Sequence, residues 1–215
     1  MSCIFQSWVS IPPGTFLMGG IPEDKFVTSN ELPRHPVTLT EFQITAHPVT
    51  RAQWHGTAEI PFPDHPVTRI SLAEASNFAH HHHARLPSEE EWEYACRAGT
   101  TTLFPGNSTL SPVAANYLYD ESGDPVGPGT TTPVGSYPPN DFGLFDMIGN
   151  VCEWTSTPWR PGYQSNSSHH PARRAIRGGA WDHLPRLLRA SWRDWAPDSA
   201  RWDNLGFRLV RDEKP

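Results

Sequence analysis

The chain has 215 residues, of which 37% are hydrophobic and 11% aromatic, and this composition excludes disorder throughout. The formal net charge of -6 gives no reason to expect nucleic-acid binding by the whole molecule. With 23 Pro and 16 Gly residues, turns and irregular segments should outnumber long helices. The length suits one domain, which we assign to residues 1–215.

The compartment is predicted from cysteine usage and from the N-terminus. The chain has three cysteines, Cys3, Cys96 and Cys152. Because their number is odd and their spacing is not that of a metal site, they favour a reducing compartment over a disulfide framework. The chain has no recognisable signal peptide and no membrane segment. We therefore expect a cytoplasmic protein, and any display at a surface would need a display partner.

The first half of the chain predicts short strands followed by helices. The stretch "WVSIPPGTFLMGG" indicates two short strands joined by a Pro-Pro-Gly turn, and residues 35–50 alternate like one longer strand. Three capping boxes predict helix starts, because a hydroxyl residue precedes Glu or Gln by three positions. These pairs are Thr50 with Gln53, Ser71 with Glu74, and Ser88 with Glu91.

The second half predicts loops framed by strands. Residues 100–139 are dominated by Thr, Pro, Gly, Ser and Asn, which indicates a long structured loop, and "SNSSHHPARR" indicates a second polar loop. The segments "AIRGGAW" and "GFRLV" are each predicted as strands.

Between residues 160 and 211, Arg outnumbers Asp. This excess favours a role of the guanidinium groups in bracing loops, rather than a surface patch that binds polyanions. The run His80–His83 lacks an evident third metal ligand, so it indicates an exposed helix end.

Six phrases in order carry a family resemblance: "IPPGTFLMGG", "HPVTLTEFQITAHPVTRAQW", "RLPSEEEWEYACRAGT", "TTPVGSYPPNDFGLFDMIGNVCEW", "AIRGGAW" and "LGFRLV". Together they resemble the formylglycine-generating-enzyme (sulfatase-modifying factor) domain family from about residue 8 to 210. The resemblance implies an α+β domain, a variant of the C-type lectin fold. Such a domain is loop-rich, with small twisted antiparallel sheets and two or three helices, and it often binds structural calcium.

The resemblance also bears on catalysis. Oxidases of this family use a pair of cysteines between the "RGG-x-W" and "GFR" phrases, where the thiolates bind copper. This chain has no cysteine between Arg177 and Arg208. We therefore expect no copper, no catalytic residue of that kind, and no enzyme activity.

The C-terminal segment most resembles the variable proteins of diversity-generating retroelements, whose terminal residues are replaced by error-prone copying. Residues 177–210 fit their frame as a variable ligand-binding region, and the partner would be an unknown protein or surface ligand. Two alternatives stay open, namely an inactive or unrecognised enzyme of the family and a carbohydrate-binding lectin. The positions that match the variable clusters are Asp182, His183, Leu184, Leu187, Trp192, Asp194, Trp195, Ser199, Trp202, Asp203 and Asn204.

The same segment has no period that would bury it on one face of a helix or strand. Large aromatic side chains that cannot all be buried are typical of binding surfaces. We therefore expect Trp192, Trp195 and Trp202 to form a partly exposed aromatic patch, and Trp181 to be part of the core.

A calcium site is expected in "GLFDMIGNVCEW". Asp146, the Gly149 and Val151 carbonyls and Glu153 supply hard oxygen ligands, and the resemblance places calcium at the matching loop. The alternative is that the two carboxylates cap backbone amides or pair with Arg.

Overall fold

The computed structural model describes residues 7–164 and 172–212. Three helices begin where the capping boxes predict: α1 (Arg51–His55), α2 (Leu72–His81) and α3 (Glu89–Arg97). In each box the hydroxyl accepts from the backbone N–H three residues on, and the Glu or Gln side chain accepts in return. These boxes satisfy otherwise unpaired N–H groups at the helix starts. No helix in the described ranges is long and apolar enough to cross a membrane.

Within the described part of the chain, nine short strands form three sheets. One sheet has the order β1-β4-β9, a second pairs β2 with β3, and the third has the order β7-β6-β5-β8. All pairs are antiparallel except β5 with β8, which run parallel. The strands are β1 (Trp8–Ile11), β2 (Gly14–Met18), β3 (His35–Leu39), β4 (Phe42–Thr45), β5 (Cys152–Pro158), β6 (Arg173–Arg177), β7 (Arg193–Pro197), β8 (Leu205–Gly206) and β9 (Val210–Asp212).

Three expectations about strands need correction, and one strand, β7, was not expected. The "AIRGGAW" phrase is a strand only as far as Arg177, where β6 ends. Residues 35–50 do not form one strand, because the chain crosses from the β2-β3 sheet to the β1-β4-β9 sheet at residues 40–41. The "GFRLV" phrase is likewise divided between β8 and β9, which lie in different sheets. Strand β7 has no counterpart in the sequence prediction, because its pairing with β6 supplies the backbone partners that the side-chain pattern does not reveal.

The long loop over residues 100–139 contains no helix or strand in the structure, as its composition predicts. Side-chain amides hold it in place: Asn116 donates within the loop to the Thr130 carbonyl at 2.9 Å and outside it to the Asn150 side-chain oxygen at 3.3 Å. Asn140, directly after the loop, donates to the Ala95 carbonyl at 2.8 Å. Part of the second polar loop, residues 165–171, and Cys3 lie outside the described residues.

Helix α3 is buried on its acidic face as well as on its apolar face. Trp92 and Cys96, four positions apart and so on one face of the helix, pack in the core, but Glu89 and Glu93 are also buried. Burial acts to raise the pKa of Glu93, yet the guanidinium groups of Arg177 and Arg97 outweigh it and hold that pKa below its ordinary value. The helix is therefore fixed to the sheet by buried ion pairs in addition to apolar packing.

Candidate ligand-binding site

The C-terminal segment is anchored by arginines. Arg177, Arg189, Arg193 and Arg208 are each no more than 3% exposed, and every one pairs with a buried carboxylate. Because these carboxylates come from distant parts of the chain, the pairs fix the segment to the body. The Arg-rich composition of the segment thus reflects bracing of loops, which is the favoured interpretation of the sequence.

Arg189 shows how complete this bracing is. Its guanidinium donates to Asp24 and Glu31, each at 2.8 Å, and to the carbonyls of Arg186 and Phe26. Ser191 donates to the same Glu31 carboxylate at 2.7 Å. All the guanidinium N–H donors face oxygen atoms, so the turn before β7 has one well-defined position.

Between these anchors several of the predicted ligand-binding positions reach the surface. Asp182, Ser199 and Asp203 are exposed, as is Trp202, whose side chain keeps 42% of its surface accessible. Asn204 is half-buried and donates to both oxygens of the Asp182 carboxylate, at 2.9 and 3.1 Å. We name these five residues the tail surface.

Trp192 is not part of the expected aromatic patch, because it is buried. It is 6% exposed and packs in the core cluster that also contains Ala196. The half-buried imidazole of His183 covers it, with the ring centroids 5.5 Å apart. Burial lowers the pKa of His183, although Asp182 and Asp194 act in the opposite direction.

Trp195 lies on strand β7 and is half-buried. Successive side chains of a strand point to opposite faces, so Trp195 and the exposed Asp194 face opposite sides of β7. The Arg173 guanidinium lies 3.6 Å from the centroid of the half-buried Trp195 ring. Leu184 and Leu187 are also half-buried, and Leu187 packs against the core. The three indoles therefore do not form one patch, and only Trp202 is on the tail surface.

Two adjoining hollows lie beside the tail surface, and we call them together the tail groove. One has a volume of about 530 Å³ and the other about 610 Å³, and both are lined by Arg69 and Asp203. The Arg69 and Asp203 side chains form an exposed ion pair at 3.8 Å. Trp202 and Asn204 line the second hollow. The first hollow has a volume typical of sites that hold a peptide segment or a small molecule, whereas the second is shallow and open to solvent.

Trp181 lines the first hollow, which corrects its assignment to the core. It is half-buried, and its backbone N–H donates to the Asn150 carbonyl at 3.1 Å. Trp181 comes two residues after the turn through Gly178 and Gly179, both with positive φ. This turn takes the chain out of the sheet, so the Trp181 side chain lies in the wall of the groove.

The other wall of the tail groove consists of residues that no sequence pattern assigned to a binding site. Arg51 and Trp54 on α1, the loop residues 66–70, and Thr130 and Thr131 contribute to it. The capping box at Thr50 predicts the helix that carries Arg51 and Trp54, but nothing local to the sequence relates that helix to the tail.

The two carboxylates among the four expected calcium ligands already have partners within the protein. Both Glu153 oxygens accept from Arg208, at 2.7 and 2.8 Å, and one also accepts from the Trp92 indole N–H at 2.8 Å. Asp146 accepts from the Gly135 backbone N–H at 2.8 Å. The Arg208 guanidinium thus supplies the positive charge that a cation would bring. Within residues 7–164 and 172–212, no cluster of three or more His, Cys, Asp or Glu could hold a metal ion.

Comparison with known proteins adds relatives of two kinds. Bovine (Bos taurus) formylglycine-generating enzyme is 33% identical over 191 residues, covering 78% of this chain and 51% of the relative. Hercynine oxygenase of Mycolicibacterium smegmatis is 32% identical over 267 residues, covering 95% of this chain and 61% of the relative. The chain therefore spans only about half the length of the bovine enzyme.

Solved structures of similar fold include PvdO from Pseudomonas aeruginosa, with a TM-score of 0.84 and 28% identity over 96% of this chain and 94% of that one. Treponema denticola variable protein 1 has a TM-score of 0.79 and 20% identity over 96% of this chain and 95% of that one. The fold is therefore shared by enzymes of the family and by variable proteins.

The expectation that the chain is not an enzyme is wrong, because the relatives named formylglycine-generating enzyme and hercynine oxygenase point to an enzyme family. The missing cysteine pair argues against the oxidase reaction that uses this pair. It does not argue against other reactions, although the expectation treated it as if it did. The resemblance to the family itself is confirmed. The model of the sulfatase-modifying factor enzyme 1-like domain matches residues 4–213, and the chain belongs to that family.

Proposed function

We propose that the chain binds a ligand through the tail surface and the tail groove, and that the tail surface is a replaceable face on a constant body, as in variable proteins of diversity-generating retroelements. The observation that carries the proposal is the division of the C-terminal segment by burial. Its anchoring arginines are almost fully buried, whereas Asp182, Ser199, Trp202 and Asp203 are exposed.

Physical reasoning supports this division as a binding design. Replacement of an exposed side chain changes stability little, whereas loss of one member of a buried ion pair costs about 3–5 kcal/mol. A segment with buried anchors can therefore accept many exposed side chains without loss of the fold. Trp202 supplies large rigid area, and Asp203 and Asn204 supply polar contacts, which is the mixture found in antibody binding loops.

The DNA next to the coding sequence provides the first test. We expect a reverse transcriptase gene and a near-identical repeat of codons 177–210 that differs from them only at adenines of the repeat. Absence of any such repeat, or differences spread over the codons of Arg177 and Arg189, would contradict the replaceable face.

A display experiment provides the second test. One library randomises the five tail-surface residues, and a matched library randomises five buried positions of the same segment: Arg177, Arg189, Arg193, Leu205 and Phe207. We expect the first library to remain folded on the yeast surface and to yield binders to a purified test protein. The second library should lose most of its folded members. Equal losses in both libraries would refute the proposal.

Catalysis on the bound ligand is a second candidate function, favoured by the enzymes among the relatives. The described thiols, Cys96 and Cys152, are buried in the core away from the groove lining. Chemistry in the tail groove would therefore need other residues that line it. Mass spectrometry of a selected ligand after incubation with the protein tests this function, and an unchanged mass would exclude turnover of that ligand.

A further inference from the structure

One side chain of the tail groove has no partner that accounts for its charge. Arg51 lines the first hollow, and across the described ranges its guanidinium forms no ion pair and no side-chain hydrogen bond. Its backbone N–H donates to the His65 carbonyl at 2.9 Å, which fixes the backbone position from which the side chain extends. The residue is half-buried, which reduces the screening of its charge by water.

The other charged groups of the tail groove do not balance Arg51. Among the described residues that line the groove, Asp203 is the only carboxylate, and it pairs with Arg69. Arg201 pairs with Glu74 at 2.6 Å, and Glu74 does not line the groove. Two of the three guanidinium groups in the lining are therefore paired with carboxylates, and the charge of Arg51 is the one left to favour an anionic ligand.

The surroundings of Arg51 also favour a particular kind of anion. The indoles of Trp54 and Trp181 line the same hollow, and Thr68, Thr130 and Thr131 bring hydroxyl or backbone polar groups to it. The two hollows adjoin at Arg69 and Asp203, which makes the groove elongated. An extended chain with alternating polar and apolar groups fits such a groove better than a compact inorganic ion does.

We propose that the tail groove takes an acidic peptide segment, whose side-chain carboxylate pairs with the Arg51 guanidinium. Arg51 lies outside the tail, so this contact stays constant while the tail surface changes. Proteins with different tail sequences would then bind ligands that share one acidic residue and differ in the residues around it. The inference rests on the proposed function, because it assigns part of the ligand of the same groove.

The test uses the full chain and two capped tetrapeptides, Ac-Gly-Glu-Tyr-Gly-NH2 and its Gln isostere, titrated at low salt and followed by NMR. We expect the acidic peptide to bind roughly tenfold more tightly, because a charge-assisted hydrogen bond to Arg is lost in the isostere. Arg51→Gln should reduce binding of the acidic peptide to the level of the isostere. Arg211→Gln is the matched control, since Arg211 is exposed and lies over Trp8, outside the groove lining, and it should leave the preference intact.

Several outcomes would overturn the inference: equal affinity for both peptides, no binding of the acidic peptide at 10 mM, or an unchanged preference in Arg51→Gln. Competition by free succinate as strong as by the peptide would refute a peptide ligand. Trp202→Ala separates this inference from the proposed function. It should weaken both peptides equally, and if it does so while Arg51→Gln has no effect, only the acidic contact is wrong. If Trp202→Ala changes neither affinity, the tail surface is not the binding face.

Discussion

Replacement of Arg189 by Ala should cost about 3–5 kcal/mol of the free energy of unfolding, because it leaves buried negative charge without a cation. The Arg189 side chain is 2% exposed, and its guanidinium contacts Asp24 and Glu31 at 2.8 Å. The Glu31 side chain is fully buried, so water cannot take the place of the guanidinium without opening the structure. For a domain of this size, the loss corresponds to a fall of about 6–20 °C in Tm.

Urea unfolding followed by tryptophan fluorescence measures this cost. Trp202→Ala in the same segment is the control, and it should change the free energy of unfolding by less than about 1 kcal/mol because Trp202 is exposed. The double variant Arg189→Ala with Glu31→Gln should be more stable than the sum of its single changes predicts, because the uncompensated charge is smaller. The reasoning is refuted if Arg189→Ala costs no more than Trp202→Ala, or if the double variant is strictly additive.

The remaining predictions concern groups beneath the tail and in the core. Trp192→Ala should cost about 3–5 kcal/mol in the same urea assay, and a cost near zero would contradict its place in the core. Burial lowers the pKa of His183 in the folded state, so His183 contributes stability above the unfolded-state pKa of about 6.5 that is lost as pH falls through the folded-state value. Between pH 7.5 and 5.5, Tm should therefore fall less in His183→Asn than in the parent, and identical pH profiles would contradict this. Burial raises the pKa of the Cys96 thiol to about 12 and also raises the pKa of Cys152, so in a Cys3→Ser variant iodoacetamide should label neither thiol until the protein unfolds.

Local features of the fold could be predicted from the sequence because they depend on neighbours in the chain. The capping box at Ser88 forms between residues three positions apart, and the spacing of Trp92 and Cys96 defines one helix face. The ordered phrases of the chain likewise carried the family. By contrast, no local pattern indicated that Glu89 and Glu93 on the same helix are also buried, because their partners are about 90 residues away.

The sequence by itself determined the family, the three helix starts, the bracing role of the C-terminal arginines and the presence of exposed positions among the tail residues. Only the tertiary structure decided that Trp192 is buried while Trp202 is exposed, since Trp192 packs into a core cluster whose other members come from distant parts of the chain. It also decided that Glu153 faces a guanidinium, and that Arg51 and Trp181 share one hollow. These contacts join residues that are far apart in the chain, and their geometry is set by the packing of the sheets and helices that carry them.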